Sequence, residues 1–115
     1  MHELALSQDI VRTVLSAVDA EPADIVAIAL DVGTLSSVNV DSLEFCMGVI
    51  LEQEGIEGVR VEITEVRARV RCSCGAEYEP EEMFDPCPQC EGFDREVIRG
   101  TDLTIRHVEV RDEQG

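Results

Sequence analysis

The sequence predicts an α+β fold, in which a three-stranded sheet carries two helices on one face and a cysteine-rich lobe is inserted before the last strand. Three observations support this prediction. Two segments repeat apolar residues at spacings of three and four, which is typical of amphipathic helices. Three others are apolar runs or alternate apolar with polar residues, as strands do. Four of the five cysteines form two close pairs between positions 72 and 90.

The first predicted helix spans residues 3–20. We expect it to end at the Glu21-Pro22 pair, because a residue that precedes proline disfavours the α region. Its apolar stripe consists of Leu6, Ile10, Val14, Ala17 and Val18.

A near-continuous apolar run over residues 25–32 predicts a strand that is covered on one or both faces. A second helix is predicted after it. Asp41 and Glu44 resemble a capping box at its start, and Gly55 is expected to terminate it. The stripe of this helix consists of Val40, Leu43, Met47, Ile50 and Leu51.

The remaining strands show alternation. Val59, Val61 and Ile63 alternate with polar residues, which predicts a half-buried strand. The apolar parity then changes near Glu65, so a bulge or a change of element is expected there. The last strand is predicted over residues 103–110 and contains a further change of parity.

The paired cysteines predict a metal site. Cys72 and Cys74 lie in one turn, Cys87 and Cys90 in another, and two such turns can face each other and enclose a metal. Zn²⁺ favours a cage of four thiolates with Zn–S distances of about 2.3 Å. Two disulfides and four unrelated buried thiols are the alternatives. Disulfides need an oxidising compartment, and no signal peptide is visible. Unrelated thiols would not be expected to occur in pairs. The sequence therefore predicts structural zinc in a zinc-ribbon lobe, although the first arm is C-x-C where most ribbons have C-x-x-C.

The charge balance limits the possible partners. The net charge is −16, from 25 acidic and 9 basic residues, and every basic residue counted there is arginine. Such a surface repels phosphate backbones and anionic membranes, which argues against nucleic acid and membrane partners. We interpret the acidic excess as adaptation to a salty cytosol, where ions screen the repulsion, and we expect a cytoplasmic location.

The amino terminus offers a second group of metal ligands. A terminal amine, the next amide nitrogens and an imidazole at position two can surround Ni²⁺ or Cu²⁺ in a plane. Met1 and His2 supply the amine and the imidazole, and Glu3 can add an amide nitrogen or a carboxylate. A histidine at this position is also commonly a solvated residue near a helix start, so the tripeptide alone leaves both interpretations open.

Taken together, four segments resemble the HypA/HybF family, which delivers nickel during [NiFe]-hydrogenase maturation. They are residues 1–6, residues 32–36, residues 43–45 and the paired cysteines. They occur in the right order, and the resemblance extends over nearly the whole chain. The resemblance implies a nickel-binding α+β domain at residues 1–66 and 98–115, with a zinc-ribbon insertion at residues 67–97.

The resemblance also implies the metals and the partners. Ni(II) is expected transiently on Met1, His2 and Glu3, and Zn(II) permanently on the cysteines. A HypB-type GTPase and the [NiFe]-hydrogenase large subunit are the expected partners, and some members also serve urease. The implied zinc ligands are Cys72, Cys74, Cys87 and Cys90.

The function that follows is a metallochaperone, not an enzyme. The alternative is a zinc-ribbon protein-interaction module that binds no nickel, and metal content distinguishes the two. A zinc hydrolase is disfavoured because four thiolates leave no open coordination position.

Overall fold

The computed structural model describes residues 2–19 and 21–111. This part of the chain contains two helices and six strands, with a short 3₁₀ turn at Pro22–Asp24. In chain order the elements are α1 (Glu3–Ala17), β1 (Ile25–Gly33), α2 (Val40–Gln53), β2 (Arg60–Val66), β3 (Arg69–Cys72), β4 (Glu77–Tyr78), β5 (Arg95–Arg99) and β6 (Leu103–Val110).

The first sheet has the strand order β2-β1-β6, so the apolar β1 is its central strand. β1 runs parallel to β2 and antiparallel to β6. Alternate residues of β1, Ile28, Leu30 and Val32, share one face of the strand and join side chains of both helices in a single buried cluster. The predicted three-stranded sheet with two helices on one face is therefore confirmed.

The first helix is shorter than the sequence suggested. It ends at Ala17, before the predicted position 20, because Val18 already has an extended backbone (φ −87°, ψ 125°). Val18 still packs against the core from this extended position. Val18, whose apolar character suggested another helical turn, thus lies in the segment that connects α1 to β1. In the described ranges, no helix has the length and apolar character needed to cross a bilayer.

The second helix begins with a cap that differs from the predicted one. Asn39 is the N-cap, and its side-chain oxygen accepts a hydrogen bond from the Ser42 amide at 2.9 Å. Asp41 lies in the first turn, where the positive end of the helix dipole stabilises its negative charge. Gly55 ends the helix as predicted, with φ +75°.

The last strand contains the predicted change of parity. His107 lies opposite Ala29 on β1, whereas Ile105 lies opposite the next residue, Leu30. Arg106 is therefore an extra residue in β6, with no paired residue on β1. Such a β-bulge shifts the following side chains to the other face of the strand.

A second sheet, with the order β4-β3-β5, carries the cysteines. We call residues 69–99, which contain these strands, the cysteine lobe. The change of element expected near Glu65 is the passage from β2 into this sheet, which occurs after Val66. The sequence did not predict β3, β4 or β5 as strands.

Arginines on and just before β3 pair with carboxylates on and just after β4. Arg69 and Arg71 both contact Glu77, at 3.0 and 2.9 Å, and Arg67 contacts Glu79 at 3.4 Å. Arg71 and then Arg69 lower the pKa of the Glu77 carboxyl. These pairs are partly exposed to water, so each adds little to stability.

The two sheets are joined where β1 ends. Thr34 donates its amide to the Val66 carbonyl and accepts the Ala68 amide on its hydroxyl, both at 2.9 Å. The amide of Leu35 donates to the Gly100 carbonyl, also at 2.9 Å. The loop after β1 therefore holds both connections to the cysteine lobe.

Two glycines allow the chain segments to approach at this joint. A Cβ atom on Gly33 would lie 2.2 Å from the carbonyl carbon of Gly100. A Cβ atom on Gly100 would lie 2.2 Å from the Cα of Ala68, and Gly100 also has φ +98°. Only glycine meets both demands at position 100.

Ser7 is a polar side chain in the core. Its hydroxyl is fully buried on α1 and has no hydrogen-bond partner among the described residues. Ser7→Ala is expected to raise the free energy of unfolding by about 1 kcal/mol, because it removes an unsatisfied buried oxygen. Urea denaturation measures this. Ser16→Ala is the matched control, since it makes the same change at an exposed position of α1. A Ser7→Ala protein less stable than wild type would contradict the expectation.

Candidate metal centres

Each cysteine pair sits on a tight turn closed by backbone hydrogen bonds. In the first turn, the Gly75 amide donates to the Cys72 carbonyl at 2.8 Å, and Gly75 has φ +96°. In the second, the Glu91 amide donates to the Cys87 carbonyl at 2.8 Å. Glu91 has φ +61°, which non-glycine residues rarely adopt. The Gln89 amide points at the Cys87 sulfur, 3.4 Å away.

The turns bring the four predicted zinc ligands together. Their sulfur atoms all lie within 4.8 Å of one another. Cys72 and Cys90 have an S···S distance of 3.3 Å, and Cys74 and Cys87 one of 3.7 Å. A disulfide bond is about 2.05 Å long, whereas the sulfurs of a ZnS₄ tetrahedron are about 3.8 Å apart if Zn–S is near 2.3 Å. The cysteines are free thiols, and their spacing suits a tetrahedral metal.

The electrostatics of the cluster favour a cation. The Cys74 amide, and then the Cys90 thiol, lower the pKa of Cys72. The Cys90 amide is the main cause that lowers the pKa of Cys87 to about 7. At Cys90 the Gly92 amide also lowers the pKa. The neighbouring sulfurs and burial outweigh this effect and raise the pKa of Cys90 to about 12. The thiols therefore resist ionising together, and a divalent cation would remove this repulsion.

The cysteine cluster lies at the protein surface, but it offers a bound metal a complete set of ligands. Cys72 and Cys87 are buried, whereas Cys74 and Cys90 are exposed. Four thiolates complete the coordination that Zn²⁺ prefers in structural sites. The donor set is therefore that of a structural metal, with no position for a substrate.

The predicted nickel ligands lie in different surroundings. Met1 is outside the described residues. His2 is exposed and is the N-cap of α1, but its side chain makes no capping hydrogen bond. Glu3 is buried, with 7% of its surface exposed, and one carboxylate oxygen accepts the Asn39 amide at 3.1 Å. The exposed imidazole is thus open to a metal, whereas the Glu3 side chain beside it is buried.

Sequence reasoning missed Asn39 at this end of the fold. An asparagine just before an apolar helical stripe is a strong N-cap signal, and it could have been recognised. The hydrogen bond from the Asn39 amide to Glu3 could not have been recognised, because the two residues are far apart in the sequence.

The second histidine and the fifth cysteine of the chain lie away from the proposed metal ligands. His107 is exposed on β6, and Cys46 is half-buried on α2. Met83 is 46% exposed, whereas Met47 is fully buried.

Comparison with known proteins gives a consistent result. The family model described as "Hydrogenase/urease nickel incorporation, metallochaperone, hypA" matches residues 1–110. Hydrogenase maturation factor HypA of Crocosphaera subtropica is 33% identical, with 97% of each chain covered. The protein of the same name from Geotalea uraniireducens is 34% identical, with 96% of this chain and 99% of that one covered.

The solution structure of the Ni metallochaperone HypA from Helicobacter pylori has a similar fold, with a TM-score of 0.68. The sequences are 14% identical, and the comparison covers 98% of this chain and 100% of the other. The structural likeness supports the fold, and the sequence match over residues 1–110 decides the family. The chain belongs to the HypA family of metallochaperones for nickel incorporation into hydrogenase and urease.

Proposed function

We propose that this protein binds Ni(II) as cargo at its amino terminus and delivers it for the maturation of [NiFe]-hydrogenase. Family membership over residues 1–110 supports the general role. The observation that carries the residue assignment is the exposed His2 imidazole, which stands at the start of α1 and makes no capping hydrogen bond among the described residues. A cargo site needs such exposure, because a partner must reach the metal without unfolding the donor.

The proposed nickel ligands are the Met1 amine, the His2 imidazole and backbone nitrogens up to Glu3. The first hydrogen bond of α1 is donated by the Leu6 amide to the His2 carbonyl, at 2.8 Å. Amides ahead of Leu6 belong to the first turn, whose N–H groups have no acceptor within a helix. They can therefore lose a proton to nickel without breaking the helical hydrogen-bond ladder. Such nitrogen donors suit square-planar Ni(II).

The proposal includes a structural zinc ion on Cys72, Cys74, Cys87 and Cys90. The short S···S distances and the amides directed at the sulfurs support it. Zinc would tie the two turns together and supply folding energy to the cysteine lobe. We further propose that residues 1–66 and 98–115 handle the cargo and that residues 67–97 form the zinc-ribbon insertion.

The proposed partners follow from the family. They are a HypB-type GTPase and the [NiFe]-hydrogenase large subunit, without nucleic acid or a membrane. The free thiols are consistent with a reducing cytoplasm. We propose no catalytic activity, because the closed thiolate cluster has no position for a substrate.

A protein-interaction module without nickel is the second candidate. Two aromatic side chains of the cysteine lobe favour it, since Phe84 is 81% and Phe93 60% exposed. Aromatic residues are enriched in protein interfaces. The metal content after incubation with nickel separates the two functions, because this module would hold zinc alone.

His2→Ala is expected to abolish nickel binding while zinc content and fold remain unchanged. An extension before Met1 should do the same, because it converts the terminal amine into an amide. Isothermal titration of untagged, zinc-loaded protein with NiCl₂ measures the effect. His107→Ala is the matched control, since the chain has two histidines and this one is exposed on β6. Unchanged nickel affinity in the His2→Ala or the extended protein would show that the proposed ligands are wrong.

A further inference from the structure

The phenylalanines of this protein are all on its surface. The chain has three, Phe45, Phe84 and Phe93, with 73%, 81% and 60% of their surfaces exposed. Phenylalanine is among the residues most often buried, yet the core of this fold consists of aliphatic side chains and methionine. Exposed aromatic side chains are typical of protein interfaces. Two of the three lie in the cysteine lobe, which points to this lobe as an interface.

Phe84 lies next to Met83 at the tip of a tight turn. The turn is closed by a hydrogen bond from the Asp85 amide to the Glu82 carbonyl, at 3.1 Å. Met83 and Phe84 are its two central residues, where glycine, proline, asparagine or aspartate is usual. Both side chains are exposed, so the fold gains little from apolar residues at this place. We call residues 81–85 the aromatic turn.

Hydrogen bonds to Asp85 and from Arg95 hold the aromatic turn in its conformation. The Asp85 carboxylate accepts the Glu81 and Glu82 amides, at 2.9 and 3.1 Å. Arg95, on β5, donates to the Met83 carbonyl and, at 2.7 Å, to the Asp85 carbonyl. A turn that is held in this way loses less conformational entropy on binding than a mobile loop does. The aromatic turn is thus preorganised for contact with a partner.

The segment that contains Phe93 lies beside the aromatic turn. The Cys87 amide, shortly after the turn, donates to the Gly92 carbonyl at 3.0 Å. Arg95 contacts the turn from the other end of the same segment. Phe93 lies between Gly92 and Arg95 in the sequence, so its exposed ring is carried by backbone that adjoins the turn. The apolar surface therefore comprises two neighbouring segments of the lobe.

The free charges around these apolar side chains are negative. Glu77 and Glu79 are paired with arginines of the lobe. Glu81, Glu82 and Glu91 are exposed, and within the described part of the chain they form no ion pair. A complementary surface would therefore be apolar at its centre and would carry lysine or arginine at its edge.

We propose that the aromatic turn, together with Phe93, is a docking surface for another protein, whose matching surface is apolar at its centre and edged by lysine or arginine. The net charge of −16 disfavours a second copy of this chain and an anionic membrane, because both would repel the carboxylates around the turn. The inference does not depend on nickel. It concerns the cysteine lobe and applies equally to a nickel chaperone and to an interaction module without nickel.

A labelled peptide of leucine and lysine, patterned as an amphipathic helix, is a probe with this chemistry. Fluorescence anisotropy measures its binding to the full-length, zinc-loaded protein. We expect Phe84→Ser to weaken binding about thirtyfold, the effect typical of an aromatic anchor in an interface. Phe45→Ser is the matched control, because it makes the same change at an exposed position of α2, and it should leave the affinity unchanged. No binding by the wild-type protein, or equal affinity of the two variants, would overturn the proposal.

The charges are tested with the double variant Glu81→Gln, Glu82→Gln. We expect it to weaken peptide binding about fivefold at low salt and to reduce the salt dependence of binding, because two ion pairs with the peptide are lost. The matched control is the double variant Glu52→Gln, Glu54→Gln, which removes two exposed charges at the end of α2. Equal effects of the two double variants would show that the peptide responds to net charge alone, which contradicts a defined docking surface.

The other possible occupants are tested with the same Phe84→Ser variant. A wild-type dimer in analytical ultracentrifugation that becomes a monomer in this variant would show that a second copy covers the turn. Binding to phosphatidylglycerol vesicles that is lost in this variant would show a membrane surface. Either result would overturn the proposal. Zinc content and circular dichroism should match wild type in every variant, because the substituted side chains are exposed.

Discussion

Cys90→Ser is expected to release zinc and unfold the cysteine lobe, while the β2-β1-β6 sheet and its helices stay folded. The reason is that this lobe has almost no core of its own. Its buried apolar side chains are Val70, Cys72, Pro80 and Cys87, and two of these are proposed metal ligands. In small zinc domains the metal contributes about 10–16 kcal/mol of apparent folding free energy. Nothing of comparable size in the lobe can replace it, since its ion pairs are partly exposed.

Elemental analysis gives the zinc content, and amide NMR spectra show which residues stay ordered. Cys46→Ser is the matched control, because the fifth cysteine is half-buried on α2 and lies outside the sulfur cluster. It should keep one zinc per chain and the full set of dispersed amide signals. Dispersed lobe signals in Cys90→Ser protein without zinc would contradict the expected role of the metal.

Gly100→Ala is expected to destabilise the protein by roughly 3 kcal/mol or more, the range of a severe backbone conflict. The added Cβ would lie 2.2 Å from the Cα of Ala68, and φ +98° is unfavourable for alanine. Neither segment can move away easily, because the carbonyl of Gly100 accepts the Leu35 amide and the amide of Ala68 donates to Thr34.

Gly48→Ala is the matched control for this substitution. A Cβ on Gly48 would meet nothing within 4 Å, and the residue lies inside α2. Alanine favours a helix over glycine by about 1 kcal/mol, so this variant should be more stable than wild type. Urea denaturation of the zinc-loaded proteins compares the two. A Gly100→Ala protein as stable as wild type would show that the segments do not approach as described.

The sequence predicted the elements that have a clear period. The stripe of α2, the apolar run of β1 and the alternation of β2 are local patterns, and each matches the structure. The change of parity in β6 was also visible, because a bulge exchanges inner and outer positions within a single strand.

The elements that the sequence did not predict lack such a pattern. β4 has two residues, which is too short for any alternation to be seen. β5 exposes Val97 and Ile98 next to each other, so its apolar residues do not alternate. These strands form because the cysteine turns bring their ends together, and that constraint is not visible in a local window.

The two candidate metal sites also differ in how much of each could be predicted from the sequence. The grouping of the four cysteines was predictable, because two close pairs at this spacing are typical of a tetrahedral metal site. The environment of Glu3 was not, since its carboxylate accepts the amide of Asn39, the N-cap of another helix. The sequence suggested two donor groups for Glu3, amide or carboxylate, and only the fold distinguishes their surroundings.

The joint between the two sheets has a consequence for cooperativity. Ala68 lies between β2 and the cysteine lobe, and Gly100 lies between this lobe and β6. The backbones of these two residues approach closely. For the first sheet, the whole cysteine lobe is therefore a loop whose ends already touch. The entropic cost of closing a loop grows only with the logarithm of its length. The first sheet should therefore lose little of its free energy of unfolding when the lobe becomes disordered. Demetallation and global unfolding should accordingly appear as two separate transitions, with the first sheet and its two helices still folded after the first transition.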